Sequence, residues 1–289
     1  MNGKKILLCI PTLNAADELA RLLGSIELKD IDVLIIDSDS DDETVEVASF
    51  VGANVISIKK ADFNHANTRN MVLGYRQYDF YWFMTQDAYA SSPNILPIML
   101  ECFADPDIVA VYARQLPRDG ADPMEVFARR TNYPEYSFVK SKADIRTLGI
   151  KTFFMSDSCA VYSGEYFRNV GGFTSGLNTN EDMEFAARAV ISGKKIAYSA
   201  NATVFHSHSY TIRRLWTRYN AIGAFFARNK WILSAAQTGE KAESTGARQA
   251  LSELMFVLKN NPKFIPLSII YSLTKFIAFK IGYLRHKTV

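Results

Sequence analysis

Short apolar runs alternate with stretches whose apolar residues recur every three or four positions, and this rhythm fills the first third of the chain. Residues 4–10 are mostly apolar and stop at Pro11-Thr12-Leu13-Asn14, which predicts a buried strand and a turn. Over 17–26 the apolar residues Leu19, Leu22, Leu23 and Ile26 keep helical spacing. Residues 32–36 predict a second strand, 43–51 a helix stopped by Gly52, and 54–58 a third strand. A helix is expected over 67–78, then a strand over 81–84 that runs into Thr85, Gln86 and Asp87. Strand and helix alternating in this way predict a parallel sheet with right-handed crossovers.

The pattern then loosens. A helix is expected after Pro93, a strand over 107–114, and a mixed polar stretch over 116–150 with one helix near 123–130. A strand over 152–162 and a helix over 164–170, stopped by Gly171-Gly172, come next. Asn180-Glu181-Asp182-Met183-Glu184 opens a helix that runs to Gly193, and short strands follow over 195–198 and 202–205. Beyond residue 212 the pattern is helical. Residues 264–284 are strongly apolar, but Lys275 and Lys280 interrupt them; the longest uninterrupted run, about 11 residues, is too short to span a bilayer. On a helix Ser268, Ser272, Lys275 and Gly282 share a narrow face, and Ile269, Ile270, Leu273, Phe276, Ile277 and Leu284 fill the other. With Lys263, Lys280, Arg285 and Lys287 around it, this fits a helix lying in a membrane interface, or a terminal helix docked on the protein or on a second subunit.

Composition narrows the class. A chain of 289 residues, 48% hydrophobic and 22% charged, is globular, with one large domain or one domain and an appendage. Cys9, Cys102 and Cys159 are far apart, without Cys or His partners at ligand spacing, which points to reduced thiols and an intracellular location. The first residues hold about five apolar positions before Pro11, too few for a signal peptide. The net charge of +3 is uneven: from His206 onward 13 Lys and Arg face 3 Asp and Glu, so the first 205 residues are net negative. An acidic front suits a metal or a sugar and a basic rear suits anionic lipid; no nucleic-acid reading motif is present.

Three places then carry candidate chemistry. Asp87 ends a buried strand at the sheet edge where open α/β sheets bind ligands, unless it caps the helix after Ser91-Ser92-Pro93. Residues 37–42 hold four Asp, more acid than a helix cap needs, which gives Asp37 or Asp39 a ligand role. On the helix from Glu181, Glu181 and Asp182 point about 100° apart, so only one can face a cleft. Glu184 and Arg188 have the spacing of a surface pair.

Taken together, Pro11-Thr12-Leu13-Asn14, Ile36-Asp37-Ser38, Phe63-Asn64-His65 with Thr68-Arg69-Asn70, Thr85-Gln86-Asp87-Ala88, Gly171-Gly172-Phe173, Glu181-Asp182-Met183 and His206-Ser207-His208 are similar to the family 2 glycosyltransferases of the GT-A fold, bacterial rhamnosyltransferases among them. The resemblance covers about 70% of the chain, residues 4–210. It implies an α/β, Rossmann-like, mostly parallel mixed sheet flanked by helices, a GT-A domain over 1–210, and a C-terminal helical appendage over 211–289. By position it assigns the nucleotide to Pro11, Thr12, Asn14, Asp37, Asp39, Arg69 and Gln86, with Arg69 facing the diphosphate. Asp87 matches the last acid of the family's Asp-X-Asp metal motif, where Thr85 replaces the first acid. One carboxylate predicts weak binding of Mg²⁺ or Mn²⁺ without the nucleotide. His206 or His208 would be a further ligand. Asp182 matches the catalytic base of an inverting transfer. The resemblance further implies dTDP-β-L-rhamnose as donor, a lipid-linked saccharide acceptor for a surface polysaccharide, and a cytoplasmic protein peripheral on the inner membrane face. UDP-glucose or UDP-galactose as donor, nucleotide-sugar binding without turnover, and a homodimer through the last helix are the alternatives.

Overall fold

The computed structural model describes residues 3–75, 77–208, 210–236 and 242–287, apart from the side chains of 242–245. Residues 1 and 289, the outer bounds of the two expected domains, lie outside the described residues. The chain forms two compact units. The first comprises Met1–Gln115, Glu135–Lys142 and Phe153–His206; the second comprises Leu116–Pro134, Ala143–Thr152 and Ser207–Val289. The second unit takes in most of the mixed polar stretch as well as the chain from Ser207 onward.

A nine-stranded sheet forms the first unit. Its strands are β1 (Ile6–Thr12), β2 (Asp32–Asp37), β3 (Asn54–Ser57), β4 (Phe80–Met84), β5 (Tyr89–Ala90), β6 (Ile108–Leu116), β7 (Phe138–Lys140), β8 (Cys159–Ser163) and β9 (Lys195–Phe205). They lie in the order β3-β2-β1-β4-β8-β6-β9-β5, with β7 beside β9. β1 to β4 pair in parallel, and β8 joins β4 antiparallel. Ile6, Leu7, Leu8, Cys9 and Ile10 are all buried, which explains the unbroken apolar run of β1. Around the sheet pack α1 (Ala16–Gly24), α2 (Thr44–Phe50), α3 (His65–Asn70) and α4 (Ile95–Leu100). α1 buries Leu19, Leu22 and Leu23, the residues that set its period.

Register makes the site. Thr12 pairs with Asp37 and Cys9 with Phe83, so the carboxyl ends of β1, β2 and β4 emerge at one edge. That edge carries Pro11, Thr12, Asp37 and Thr85 to Asp87.

Some expected elements differ. The helix expected over 67–78 is α3 followed by a 3₁₀ turn, Met71–Gly74. The strand expected over 152–162 begins only at Cys159, after a 3₁₀ turn at Gly149–Phe153. The two strands expected over 195–205 are one, because Ser137 Oγ accepts from Ala200 N at 2.9 Å across the interruption.

The second unit is helical: α5 (Pro123–Asn132) and α6 (Ile145–Leu148) belong to it, while α7 (Gly164–Asn169) and α8 (Glu181–Ile191) return to the sheet. α9 (Ile212–Arg228), α10 (Lys230–Ala235), α11 (Ala242–Asn260) and α12 (Ile265–His286) complete it. α9 and α12 run in the same direction: Asn220 Nδ2 donates to Ala278 O at 3.3 Å, and Arg228 lies 3.2 Å from His286. Glycine permits this approach. A Cβ on Gly282 would stand 2.0 Å from Asn220 O, and one on Gly223 2.1 Å from Phe279 O. Gly282→Val is therefore expected to lower stability by about 1–3 kcal/mol. Thermal melting reads it, and an unchanged melt would contradict the close packing.

α12 turns its small and polar residues inward. Ser268, Tyr271, Thr274, Ala278 and Gly282 are its buried positions, whereas Ile269, Ile270, Leu273, Phe276, Ile277 and Leu284 are 44–61% exposed. Glu253 of α11 accepts from Ser268 Oγ at 3.2 Å and from Lys275 Nζ at 3.1 Å on the inward side. A helix packed for water would show the reverse arrangement. With its leading turn the helix spans Pro262–His286, 25 residues that include an 18-residue window of mean hydropathy 1.5, long and apolar enough to cross a membrane by length and composition. Counting uninterrupted residues missed this, because both lysines are tolerated within the helix.

Candidate active site

The carboxyl edge of the sheet opens into a cavity of about 400 Å³ lined by Pro11, Thr12, Leu13, Ser38, Lys60, Phe63, His65, Arg69, Thr85 and Gln86. That volume suits a small-molecule ligand. A larger cavity of about 620 Å³ lies at the amino ends of the strands, around Lys5, Asp32 and Tyr78. It is the less suitable site, since ligands of open α/β sheets bind beyond the carboxyl ends.

The two acidic-loop candidates do not line this cavity. Asp37 is buried: Oδ1 accepts from Thr12 Oγ1 at 3.0 Å and from Ser40 Oγ at 2.6 Å, and Oδ2 accepts from Ser40 N at 2.9 Å. It holds the loops after β1 and β2 together. Asp39 stands exposed with φ +65°. Asn14 joins the same two loops, donating from N to Ser40 Oγ and accepting from Asp41 N, each at 2.8 Å. Gln86 sits in the wall but spends its amide on Leu13, accepting from Leu13 N at 2.8 Å and donating to Leu13 O at 3.2 Å. Ser38 Oγ and Thr85 Oγ1 are buried without a hydrogen-bond partner, and both residues line the cavity. Buried hydroxyls of this kind are ready for a ligand's polar edge. From sequence Thr85 stands out only as the replacement for an acid and Ser38 only as part of a motif; Lys60 is not singled out at all.

Behind the cavity lies a buried charge cluster. Arg69, 3% exposed, donates from Nη1 to Glu181 Oε1 at 3.0 Å, and its Nε lies 3.6 Å from Asp157 Oδ2. It is thus no surface ion pair. Asp157 also accepts from the Tyr162 hydroxyl. Glu181 is buried and turned to Arg69, while Asp182, one position on, is half-buried and takes bonds from Met183 N at 2.7 Å and Asp157 N at 3.3 Å. The angular separation expected along the helix is therefore present.

Burial raises both Asp157 and Asp182, and the Glu181 carboxylate raises Asp182 further, to about 7. The two carboxyls titrate as a pair. Arg69 and the Tyr162 hydroxyl hold back the rise of Asp157, as Arg69 and the backbone donors of Met183 and Asp157 hold back that of Asp182. The positive end of α8 favours the Asp182 anion too, but burial and Glu181 outweigh it. Lys140, also missed in the sequence, is buried nearby with its ammonium against Phe154 O and 3.3 Å from the Tyr112 hydroxyl. Burial pulls its pKa down to about 7. Glu184 and Arg188 are not the surface pair expected: Glu184 is 3% exposed, and Arg188 also donates to Gly172 O at 2.8 Å, fastening α8 to the Gly171-Gly172 turn.

Asp87 caps no helix, since α4 starts at Ile95 after Asn94. Its Oδ1 lies 3.4 Å from Nε2 of buried His206. Gln115 Nε2 donates to Ser156 Oγ at 2.8 Å, which turns Gln115 Oε1 toward His206 Nδ1 at 2.9 Å. A carbonyl oxygen only accepts, so Nδ1 donates to Gln115, and Nε2 is the nitrogen that faces the carboxylate. An imidazole nitrogen beside a carboxylate, with the ring oriented from behind, suits a divalent cation. His208 follows two residues later, at the start of the second unit.

A family model described as glycosyl transferase family 2 matches residues 7–171. The chain is similar to the O-antigen chain rhamnosyltransferase WbaN of Salmonella anatum, 43% identical over 251 residues, 86% of this chain and 79% of that one. It is 41% identical over 283 residues to the O-antigen chain rhamnosyltransferase RfbN of Salmonella typhimurium, 96% of this chain and 89% of that one. Among solved structures it is similar to the mannosyltransferase PcManGT from Pyrobaculum calidifontis, with TM-score 0.63 and 15% identity over 97% of this chain and 87% of that one. Residues 1–349 of S. aureus TarS match with TM-score 0.56 and 14% identity, over 98% and 91%. At such identity the likeness is one of fold, and the mixed sheet is of the GT-A type. The family match over more than half the sequence, joined to two relatives above 40% identity, makes the conclusion plain: the chain belongs to glycosyl transferase family 2 and is a glycosyltransferase.

Proposed function

We propose that the enzyme transfers L-rhamnose from dTDP-β-L-rhamnose, with inversion, to a saccharide carried on a membrane lipid, as a step in building a surface polysaccharide. The sugar and pathway rest on the two rhamnosyltransferase relatives. The chemistry rests on one observation: a half-buried carboxyl of raised pKa, Asp182, beside the Arg69 that lines the cavity.

In a single displacement the acceptor hydroxyl attacks the anomeric carbon while the bond to the diphosphate breaks. Asp182 takes the hydroxyl proton from the face opposite the leaving group. The cavity walls at Pro11, Thr12, Ser38 and Thr85 hold the nucleoside, and Lys60 stands at the rim to meet negative charge. Arg69 positions the base cluster, its charge already shared by Glu181 and Asp157. Asp87, His206 and His208 would hold Mg²⁺ or Mn²⁺, which supplies charge compensation for the departing diphosphate. His208 is included because two residues of chain keep it within about 7 Å of His206 along the backbone.

A donor screen tests the sugar. Turnover is expected with dTDP-rhamnose above UDP-glucose, UDP-galactose and GDP-mannose; turnover with a UDP-hexose alone sinks the rhamnose reading, and binding without turnover sinks the enzymatic one for these donors.

The outward apolar face of α12, with Trp216 and Trp231 also exposed on neighbouring helices, supports docking on the inner membrane face. Ile270→Glu, Leu273→Glu and Phe276→Glu together are expected to abolish cosedimentation with phosphatidylglycerol vesicles. A triple variant that still sediments, or that splits a native dimer instead, assigns the face to another partner.

A further inference from the structure

The geometry points to a diphosphate-binding site in the second compact unit, one that receives the anionic head of a lipid-linked acceptor. Arg118, Arg214 and Arg218 line a cavity of about 390 Å³ together with Ser207, His208 and Tyr210. Among these described lining residues none is acidic. Arg214 and Arg218 stand one turn apart on α9, where like charges repel unless an anion lies between them. Thr211 caps the helix there, its hydroxyl accepting from Arg214 N at 3.2 Å, so the positive end of a 17-residue helix adds to the same field.

The walls are held in place by contacts among themselves and by one carboxylate behind them, Glu125, whose Oε1 accepts from His208 N at 3.3 Å and whose charge is shared with Arg129 at 2.7 Å. The Arg218 guanidinium lies 5.9 Å from the centre of the Tyr210 ring, and Ser207 Oγ accepts from Arg118 N at 2.8 Å. Guanidinium forks match phosphate oxygens in pairs, and three of them suit the multiple charge of a diphosphate ester better than a single monoanion.

Both a nucleotide and a lipid-linked glycan offer that group, and the surroundings favour the lipid. Tyr210 accepts through its carbonyl from the hydroxyl of Tyr271 on α12. Tyr271 itself is buried on the inward side of α12, and the outward side of the same helix carries the exposed Ile269, Ile270 and Leu273. A cationic cavity tied to a helix whose other side is an uncovered apolar surface, both in one unit, suits an amphiphile: charged head in one, hydrocarbon on the other. The inference rests on the lipid-linked acceptor of the proposed function and is independent of which sugar is transferred.

Farnesyl diphosphate is the probe, titrated into the full-length protein in EDTA, with dTDP titrated in Mg²⁺ alongside. The exposed-site variant R214Q/R218Q is expected to keep the native melting temperature, to lose affinity for farnesyl diphosphate by about tenfold or more, and to bind dTDP as the native protein does. R214K/R218K, which keeps the charge without the forks, is expected to fall between. Loss of dTDP binding with farnesyl diphosphate unaffected would assign the cavity to the donor and overturn the proposal. Equal losses for both ligands, no loss for either, or no binding of farnesyl diphosphate by the native protein would overturn it as well. No sugar moves in these titrations, so a failed donor screen and a failed site are separate results.

Discussion

Asp182→Asn is expected to slow transfer by about 10²–10⁴-fold, the range for loss of a general base, with nucleotide binding at its native strength. The amide keeps the shape of the carboxyl and can still accept from Met183 N, so the loss reports the proton and not the fold. The pH profile gives the sharper reading. A base must be unprotonated to act, so native activity should rise with pH through about 7, where the raised Asp182 loses its proton. Below that midpoint the carboxyl carries the proton and transfer fails. Glu181→Gln removes the like charge that helps raise Asp182, and the acidic limb should move down. Unchanged transfer in Asp182→Asn, or an acidic limb that stays in place in Glu181→Gln, would remove Asp182 from the role of base.

Arg69→Met carries the largest expected effect on stability. Arg69, Asp157 and Glu181 have side chains 3%, 4% and 6% exposed, so deleting the cation leaves two buried acids without their counter-charge. Breaking a buried pair from one side costs on the order of 3–5 kcal/mol, a drop in Tm of roughly 5–15 °C for a domain this size. The sign of its pH dependence is fixed. Without Arg69 the folded-state pKa of Asp157, already above its unfolded value, climbs further, so the native state takes up a proton as pH falls. The deficit should therefore be large at pH 8 and smaller at pH 5. Adding Glu181→Gln should recover part of the loss. A small deficit, equal at both pH values, would mean that the cluster is not held by charge.

Strands β1, β2 and β4 were readable because strands buried on both faces leave unbroken apolar runs, and Asp87 because it ends one of them. The helix of Asp182 was readable from its period, down to the divergence of Glu181 and Asp182. The cluster behind the cavity was not, because Arg69, Lys140, Asp157 and Glu181 come from separate stretches that only the sheet brings together. Asp157 was hidden further: the Ser156-Asp157-Ser158 segment reads as strand, but its backbone turns irregularly to aim Asp157 at Arg69. In the acidic loop a count of aspartates does not say which carboxylates are already engaged. Its four aspartates suggested ligands, yet Asp37 is committed to Thr12 and Ser40 as the support of the loops above it. In α12 the two faces were identified correctly, but periodicity does not say which face turns inward. Glycine packing against α9 decides that.

The central claim is a single displacement with Asp182 as base, and the configuration of the product tests it most directly. With dTDP-β-L-rhamnose as donor, NMR of the purified product should show an α-linked rhamnosyl unit. A β-linked product would require retention and contradict the account.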